Sequence, residues 1–457
     1  MSDNITKPIR LELDGNWVLV RGRVPPMVLE EIRDMMRFQP VGYEYTDEYK
    51  ENDWDGYINL FDPFRARFPY GFLDDVKMTL QIDNVEYEVV DRNRPFRDYP
   101  KPSTWTWNNG YKLHEYQNDA VSLALTMKRG IINLPTGTGK TIVACKIIHE
   151  LNKSAVIFVH KKELMGQWVT SFETLLNHCP GRVGDGDANF GYITVAMVQT
   201  MSRLPKELLS EYEVTIFDEC HHFPADSVYE IGMASHSPYI FGLSATPRRE
   251  DGKELMLKGG IGPMIVTKTT SEMIYQGFLS KPTIYLVHMK PMGVERDYAK
   301  AYRKAIVDNE HRNAVIRSIV SKMELNKQIY IHVKHIRHGK VLAEMIPGSV
   351  FLCGSDKTEY RRETLDKFKS GELKILISTL LGEGVDIPNM DVLILACGGA
   401  SETFVRQVIG RVLRITASKK EVTIYDFIDK VQFLYLHALK RIDVYKSEPQ
   451  FVIKELN

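Results

Sequence analysis

The stretch IINLPTGTGKTIVACKIIHEL, residues 131–151, decides the fold. It begins as an apolar strand, ends with apolar side chains at helical spacing, and has a glycine-rich segment in between. Backbone N–H groups of such a loop approach phosphate oxygens at the positive end of the following helix dipole. We expect Lys140 to reach the β and γ phosphates of ATP and the Thr141 hydroxyl to ligate Mg²⁺. The preceding residues of the predicted phosphate loop are Pro135, Thr136, Gly137, Thr138 and Gly139.

Short apolar runs continue on both sides of this stretch. From residue 111 onward they alternate with helix-like segments, the pattern of a parallel sheet covered on both faces. A first series of predicted strands is IINL, AVIFVH, YITVAM, VTIFDE and YIFGLS, which begin at residues 131, 155, 192, 214 and 239. A second series follows a break near KPT at residue 281 and consists of QIYIHV, SVFLCG, KILIST, DVLILA and EVTIYDF, which begin at residues 328, 349, 374, 391 and 421. The sequence thus predicts an α/β fold with two tandem parallel-sheet domains, 111–275 and 281–445.

The run VTIFDECHH, residues 214–222, delivers two carboxylates to the end of an apolar strand. There Asp218 is placed to hold Mg²⁺ and Glu219 to orient or deprotonate an attacking water, the two tasks that phosphoryl transfer to water requires. By themselves, two acids after a strand more often cap a helix. A phosphate loop upstream in the same α/β unit favours the catalytic interpretation. His221 and His222 lack a third nearby ligand, so we expect coupling or packing roles for them and not a zinc site.

The run QVIGRVLR, residues 407–414, lies late in the second series. Arg411 and Arg414 fall on one face of the predicted helix. An arginine presented to a γ-phosphate stabilises the charge that develops during phosphoryl transfer. We therefore assign both arginines and the neighbouring Gln407 to the predicted catalytic site, although the pattern by itself is more typical of a basic surface helix.

Taken together and in this order, these runs resemble the motifs of superfamily-2 helicases. LPTGTGKT is similar to motif I of that superfamily, where alanine or leucine replaces the first glycine, and DECH matches its DExH box. SATP, residues 244–247, matches motif III. The resemblance covers about residues 111–429 and implies two RecA-like domains that hydrolyse ATP in the cleft between them.

The resemblance also implies roles for further residues. Gln117 in LHEYQ is the adenine-reading glutamine, and STLLGEGVDIP, residues 378–388, is similar to motif V, which places Gly384 and Asp386 near the nucleotide. Coupling of hydrolysis to movement is implied for three residues, Ser244, Thr246 and His221. Contacts with the nucleic-acid backbone are implied for Lys161, Gln199 and Thr379.

Two further segments resemble the XPB/UvsW-like branch of the superfamily. They are PRRED, which follows SAT directly, and DNEHRNAVI, residues 308–316. An N-terminal block of about 100 residues is also similar to the small leading domain of phage UvsW-like branch-migration helicases. The branch implies an ATP-dependent DNA helicase or translocase acting on forked, branched or duplex DNA, in replication, recombination or repair. DEAD-box RNA helicases fit less well, since DECH and GRVLR stand in place of DEAD and GRxGR.

Residues 1–105 predict a small α+β domain for DNA recognition. The block is rich in aromatic residues and contains a strand-like LELDGNWVLVRG and a predicted helix, PPMVLEEIRDMMRF, with apolar residues at helical spacing. Its arginines can contact phosphate while Trp or Tyr stack on unpaired bases. The alternative is an ordinary small core with salt-bridged arginines. The arginines concerned are Arg65, Arg67, Arg92, Arg94 and Arg97.

Composition adds few constraints. The chain has 457 residues, 59 basic and 59 acidic side chains and five scattered cysteines, which fits an intracellular protein with free thiols. No apolar run is long enough for a membrane helix. We expect a monomer in the cytoplasm of a bacterium or a phage-infected cell. Three alternatives stay open: an RNA-directed helicase, a motor subunit of a restriction system, and a nucleotide switch that binds DNA without moving along it.

Overall fold

The computed structural model describes residues 8–93, 96, 99–102, 105–108, 110–246, 252–293, 295–382, 389–399, 402–415, 419 and 421–456. The chain forms two compact units. The first comprises residues 1–134 and Gly139–Thr267, and the second comprises Pro135–Thr138 and Lys268–Asn457. No helix among the described residues is long and apolar enough to cross a membrane.

The first unit begins with a small α+β block, as the sequence predicts. Its strands are β1 (Ile9–Asp14), β2 (Trp17–Arg21), β3 (Arg37–Phe38), β4 (Ile58–Asn59), β5 (Arg67–Pro69) and β6 (Tyr87–Asp91). Its helices are α1 (Pro26–Asp34), α2 (Asp47–Lys50) and α3 (Leu73–Ile82). A mixed sheet in the order β5-β2-β1-β6 covers the core, and β3 pairs with β4 separately. The predicted helix is therefore real but shorter: α1 buries Val28 and Ile32 and ends before Met36, which is buried beyond the helix.

An eight-stranded sheet forms the remainder of the first unit. Its strands are β7 (Arg129–Asn133), β8 (Ala155–Val159), β9 (Gly181–Gly184), β10 (Asp187–Ala188), β11 (Ile193–Met197), β12 (Val214–Asp218), β13 (Tyr239–Ser244) and β14 (Met264–Thr267). The helices are α4 (Glu115–Met127), α5 (Lys140–Leu151), α6 (Lys162–Leu176), α7 (Val198–Met201), α8 (Asp226–Ala234) and α9 (Glu254–Gly260). The strand order is β10-β9-β11-β8-β12-β13-β7-β14, and all pairs except β10-β9 are parallel. The carboxyl ends of β7, β12 and β13 therefore meet at one edge of the sheet.

A seven-stranded parallel sheet forms the second unit, in the order β17-β18-β16-β19-β20-β15-β21. The strands are β15 (Lys281–His288), β16 (Ile329–His332), β17 (Ser349–Leu352), β18 (Ile375–Ser378), β19 (Val392–Leu395), β20 (Glu421–Ile428) and β21 (Val452–Leu456). The helices are α10 (Thr270–Tyr275), α11 (Tyr298–Tyr302), α12 (Glu310–Ser321), α13 (Ile336–Met345), α14 (Thr358–Ser370), α15 (Glu402–Val412) and α16 (Gln432–Lys446).

The predicted fold class is confirmed, but the predicted strand series lacks β9, β10, β14, β15 and β21. The segment at residue 281, which reads as a break, is the start of β15 in the interior of the second sheet. Its proline stands at the second residue of the strand, one residue before the pairing with β21 begins at Thr283. β15 pairs with β20 on one side and β21 on the other, and its apolar residues Ile284, Leu286 and Val287 are buried.

Candidate active site

The predicted phosphate loop connects the buried strand β7 to α5. Gly137 and Gly139 have φ angles of 89° and 84°, which only glycine adopts without strain. Gly139 caps the N-terminus of α5. The Lys140 ammonium donates to the Leu134 carbonyl oxygen at 3.1 Å, so this side chain folds back over the loop. The loop therefore has the geometry of a phosphate cradle, with a cation in place above it.

Gln117 lies against this loop from the side of α4. Its Oε1 accepts a hydrogen bond from the His114 backbone N–H at 3.0 Å, as part of a capping box at the start of the helix. A Cβ added at Gly139 would lie 2.5 Å from Gln117 Nε2. Only a residue without a side chain at position 139 thus leaves room for the Gln117 amide. The structure brings the predicted phosphate loop and the predicted adenine-reading glutamine together.

Asp218 ends β12 and is 8% exposed. Its carboxylate accepts hydrogen bonds from the Trp168 indole N–H at 2.8 Å and from the Glu219 backbone N–H at 3.0 Å. Burial and the neighbouring Glu219 carboxylate raise the pKa of Asp218 to about 6. Trp168 is a site residue that the sequence analysis missed, because no local pattern connects an indole in α6 to a carboxylate 50 residues later.

Glu219 turns away from the strand in a left-handed conformation, with φ at 49°. A non-glycine residue in this region stores strain, and such strain often occurs at functional sites. His221 Nδ1 lies 3.3 Å from Glu219 Oε2 and also 3.3 Å from Ser244 Oγ. Ser244 Oγ in turn accepts from the Thr246 N–H at 3.1 Å. The three predicted coupling residues therefore form one polar chain that starts at the predicted catalytic carboxylate.

Residues 135–138 of the phosphate loop group with the second unit, together with α15. A Cβ added at Gly137 would lie 2.8 Å from Arg414 Cγ, and one added at Gly410 would lie 2.7 Å from Thr136 Cβ. The run predicted as motif VI thus packs on these loop residues through two glycines. Gln407, Arg411 and Arg414 are half-buried.

Comparison with known proteins supports the same assignment. Residues 110–249 match the model of the ResIII family, described as "Type III restriction enzyme, res subunit", and residues 310–416 match that of the helicase conserved C-terminal domain. The DNA 3'-5' translocase XPB2 of Sulfurisphaera tokodaii is 28% identical over 70% of this chain and 82% of that protein. The ATP-dependent DNA helicase uvsW of Enterobacteria phage T4 is 26% identical over 93% of this chain and 95% of that protein. The predicted resemblance to superfamily-2 helicases of the XPB and UvsW type is confirmed.

Solved structures agree with this fold. A fragment of a putative HsdR subunit of a type I restriction enzyme from Vibrio vulnificus aligns over 88% of this helicase and 76% of that chain, with a TM-score of 0.56 and 17% identity. The S. cerevisiae protein Dbp5, bound to RNA and ADP BeF3, aligns over 76% of this helicase and 90% of that chain, with a TM-score of 0.54 and 17% identity. At this level of identity, the likeness concerns the fold alone.

The helicase presents its candidate nucleic-acid residues on both units. In the first unit, Lys161 is exposed at the start of α6, and the exposed Gln199 donates to the adjacent His160 carbonyl oxygen at 3.1 Å. In the second unit, Thr379 follows β18 and lines a cavity. Gly384 and Asp386 lie outside the described residues, and so does all of PRRED, whose proline is also that of SATP.

The DNEHRNAVI segment of the helicase forms the start of α12 and is largely structural. Arg312 is fully buried and pairs with Asp429 at 2.9 Å. The Asn313 side chain is also buried and donates to the Val307 carbonyl oxygen at 3.2 Å. These contacts fix α12 to the second sheet.

The arginines of the N-terminal block divide between the two interpretations. Arg67 pairs with Asp62 at 3.1 Å and lies over the Trp17 ring, and Arg92 pairs with Glu12 at 3.2 Å. The salt-bridged alternative therefore describes these two side chains. Arg65 is exposed, while Arg94 and Arg97 lie outside the described residues.

Proposed function

We propose that this superfamily-2 helicase is an ATP-dependent DNA helicase or translocase that acts on forked or branched DNA. Both curated relatives named above carry DNA in their names, and the phage relative matches nearly the whole chain, including the N-terminal block. The observation that carries the proposal is the polar chain from Glu219 through His221 to Ser244. A protein that only binds nucleotide does not need such a connection, whereas a motor must couple ATP hydrolysis to movement.

ATP is the substrate in this proposal, and the phosphate loop fits it. Two contacts support this proposal: Lys140 donates to the Leu134 carbonyl oxygen beside the glycine-rich loop, and Gln117, the proposed adenine-reading residue, lies next to Gly139. Thr141 and Asp218 would hold Mg²⁺, since hydroxyl and carboxylate oxygens are the ligands that this ion prefers. The hydrogen bonds agree with this role, because the Trp168 indole N–H and the Glu219 backbone N–H that donate to Asp218 are both neutral groups. When bound, the ion would neutralise phosphate charge.

Glu219 is the proposed general base and Arg411 and Arg414 the proposed γ-phosphate sensors. Glu219 follows Asp218 directly and has a left-handed backbone conformation, with φ at 49°. Loss of the γ-phosphate would change the charge that Glu219 and His221 experience, and Ser244 and Thr246 would transmit the change. We assign backbone contacts with DNA to Lys161, Gln199 and Thr379, and nucleotide contacts to Gly384 and Asp386. Gln407 belongs to the proposed catalytic site with the two arginines.

The organisation of the proposed enzyme follows from the sequence. Residues 1–105 would recognise DNA structure, 111–275 would form the ATP-binding domain and 281–445 the C-terminal helicase domain. We propose that the protein works as a monomer in the cytoplasm of a bacterium or phage-infected cell, in recombination or repair.

The test is the steady-state ATPase rate with matched single-stranded, duplex, forked and four-way-junction DNA and with RNA, with Lys140→Ala as the blank. We expect the strongest stimulation by branched DNA. Equal or greater stimulation by RNA would overturn the DNA assignment and leave the motor intact. An Arg414→Ala variant should lose turnover while retaining ATP binding.

A second candidate is a motor subunit of a restriction system. The description of the family model that matches residues 110–249 favours it. Such a subunit requires a nuclease partner. Co-purification of a nuclease with the native protein would support this candidate, and branch migration by the purified chain alone would contradict it.

A further inference from the structure

The Trp168 side chain connects α6 to the carboxylate that is proposed to bind Mg²⁺. Trp168 is fully buried, and its indole N–H donates to Asp218 Oδ2 at 2.8 Å. The other carboxylate oxygen, Oδ1, accepts from the Glu219 backbone N–H at 3.0 Å. Each oxygen of a carboxylate has two lone pairs, so each keeps one for a metal ion. The two hydrogen bonds therefore orient the carboxylate and leave it able to bind a cation.

Packing within the first unit fixes the position of the indole. Its ring lies against that of Phe172, one turn further along α6, with ring centroids 5.8 Å apart, and both rings are fully buried. A side chain whose rotamer is locked by packing holds its hydrogen-bond partner in one orientation. For a metal ligand this orientation matters, because the loss of such a supporting hydrogen bond typically lowers metal affinity about 10- to 100-fold.

The same helix begins at residues that are proposed to contact the DNA backbone. Lys161 is the exposed N-cap of α6. The exposed Gln199 donates to the carbonyl oxygen of the preceding residue, His160, at 3.1 Å. Trp168 follows Lys161 by seven residues, which is about 10 Å along a helix axis. Rigid helices and hydrogen bonds carry energetic coupling over such distances, so α6 connects the proposed DNA contact to Asp218.

We propose that Trp168 is the positioning residue that links DNA contact at Lys161 to the metal-binding oxygens of Asp218. A shift of α6 on DNA binding moves the indole N–H and turns the carboxylate with it, so the affinity for Mg²⁺·nucleotide depends on DNA. Coupling between two binding sites is reciprocal, so nucleotide changes DNA affinity by the same factor. This inference rests on the proposed function and deepens it, because it names the contact through which DNA regulates the ATP site.

The experiment measures binding of the fluorescent analogue mant-AMPPNP to the full chain, in EDTA and in Mg²⁺, each with and without forked DNA. Trp168→Phe removes the N–H donor and keeps an aromatic ring. Trp168→His restores a donor, because the imidazole Nε2 stands where the indole nitrogen stands in the five-membered ring. Phe172→Leu is the matched control, because Phe172 is equally buried on the same helix and has no polar side-chain atom.

We expect Trp168→Phe to raise the Kd of mant-AMPPNP about tenfold or more in Mg²⁺ and to leave the Kd in EDTA unchanged, because only the metal contact is disturbed. DNA should change the wild-type Kd in Mg²⁺ by about fivefold or more, and Trp168→Phe should lose this change. Trp168→His and Phe172→Leu should keep the wild-type dependence on Mg²⁺ and on DNA, although both lose buried volume.

A measurement on the wild-type sequence tests the link even if Trp168→Phe fails to fold. All five tryptophans lie in the described ranges, and Trp168 is the only buried one. In protein labelled with 5-fluorotryptophan, its ¹⁹F resonance is therefore the one without a solvent isotope shift between H₂O and D₂O. We expect this resonance to move when forked DNA is added without nucleotide. A resonance that does not respond to DNA would overturn the link.

Failure of this inference and failure of the proposed function are distinguishable. If no DNA stimulates the wild-type ATPase, the proposed function fails and the DNA link with it. If DNA stimulates the wild type but Trp168→Phe keeps the wild-type dependence on Mg²⁺ and on DNA, the positioning role is overturned and the helicase assignment stands. Equal losses in EDTA and in Mg²⁺, or a loss of the same size in Phe172→Leu, would show that Trp168 only fills the core and would also overturn the role.

Discussion

The two units bury carboxylates at the carboxyl ends of their strands in different ways. In the first unit, Asp218 accepts hydrogen bonds from a neutral indole and a backbone N–H. Burial and the Glu219 carboxylate raise its pKa to about 6. In the second unit, Asp426 accepts from Arg441 at 2.8 Å and from the Tyr445 hydroxyl at 2.7 Å.

A second buried carboxylate of the second unit is also paired with an arginine. Asp429 lies just after β20 and pairs with the fully buried Arg312. The second unit therefore neutralises its buried carboxylates with its own arginines, whereas the first unit surrounds one with neutral donors. A buried charge is expensive unless it is paired. The difference indicates that the pairs of the second unit stabilise the fold, and it agrees with the Mg²⁺ contact proposed for Asp218.

The largest expected effect is the loss of turnover in Glu219→Gln. Removal of a general base lowers kcat by about 10²- to 10⁴-fold. The unfolding free energy should stay constant or rise slightly, because the substitution removes a negative charge beside the buried Asp218. The measurements are DNA-stimulated ATPase and urea unfolding of the same preparations. An active Glu219→Gln variant would place the base elsewhere.

In contrast to Glu219→Gln, Arg441→Met should lower the stability of the fold. Breaking a buried ion pair leaves an uncompensated carboxylate and costs about 3–5 kcal/mol. We expect a large fall in the urea midpoint of the second unit. Lys206→Met is the control, because Lys206 pairs with Glu230 on the surface and its loss should change stability little. Equal stabilities of the two variants would contradict the structural role of the second-unit pairs.

The sequence predicts the ATP site well because its residues cluster in short runs. The phosphate loop, the DExH carboxylates and the residues of SAT each follow a buried strand, and parallel strands bring their carboxyl ends together. Trp168 was missed because its contact with Asp218 depends on how α6 packs against β12. Nothing in a local pattern encodes that distance.

The predictions for the N-terminal block were less specific for a similar reason. From the sequence alone, an arginine can be assigned to phosphate binding or to an ion pair with a neighbouring carboxylate. Only the fold shows which carboxylates are near. Arg67 lies within reach of Asp62 through the tight turn between them, and Arg92 reaches Glu12 because β6 lies beside β1. The strand β15 was missed because a proline and the preceding polar residues resemble a loop.

The first unit also contains a buried cation, Arg129, whose hydrogen-bond partners are neutral. Its guanidinium donates to the Asn16 side chain and to the Ser237 carbonyl oxygen, and it stacks 3.9 Å from the Tyr70 ring. Burial lowers its pKa to about 10. These partners join the N-terminal block to the start of β7. Satisfied hydrogen bonds, and not a ligand, thus account for this charge.

We therefore expect Asn16→Ala to cost about 1–3 kcal/mol, the penalty for leaving a buried donor unsatisfied. Limited proteolysis should cut the N-terminal block faster, while basal ATPase is unchanged. Asn118→Ala is the control at an exposed position of α4. A variant with unchanged stability and proteolysis would show that the block is held by its other contacts, such as the Lys258–Asp75 ion pair at 2.7 Å.

The smallest expected effect is a change in how stability depends on pH, and it concerns a buried histidine of the second unit. His338 Nε2 lies 2.9 Å from Asn313 Oδ1, whose amide nitrogen already donates to Val307, so the imidazole must donate. Burial, followed by the charge of Arg312, lowers the pKa of His338 to about 3. An unfolded histidine takes up its proton near pH 6.5, so this residue costs no stability above that pH and destabilises the fold as the pH falls towards 3.

The slope is at most about 1.4 kcal/mol per pH unit. His338→Gln keeps a donor for Asn313 and removes the titration. Urea unfolding of both proteins at several pH values between 7.5 and 4.5 should give curves whose separation changes only below pH 6.5, in favour of the variant. Other buried histidines, such as His332, titrate in both proteins and cancel in the difference. A separation independent of pH would mean that the pKa of His338 is the same in the folded and the unfolded chain, so that burial would not keep this imidazole neutral.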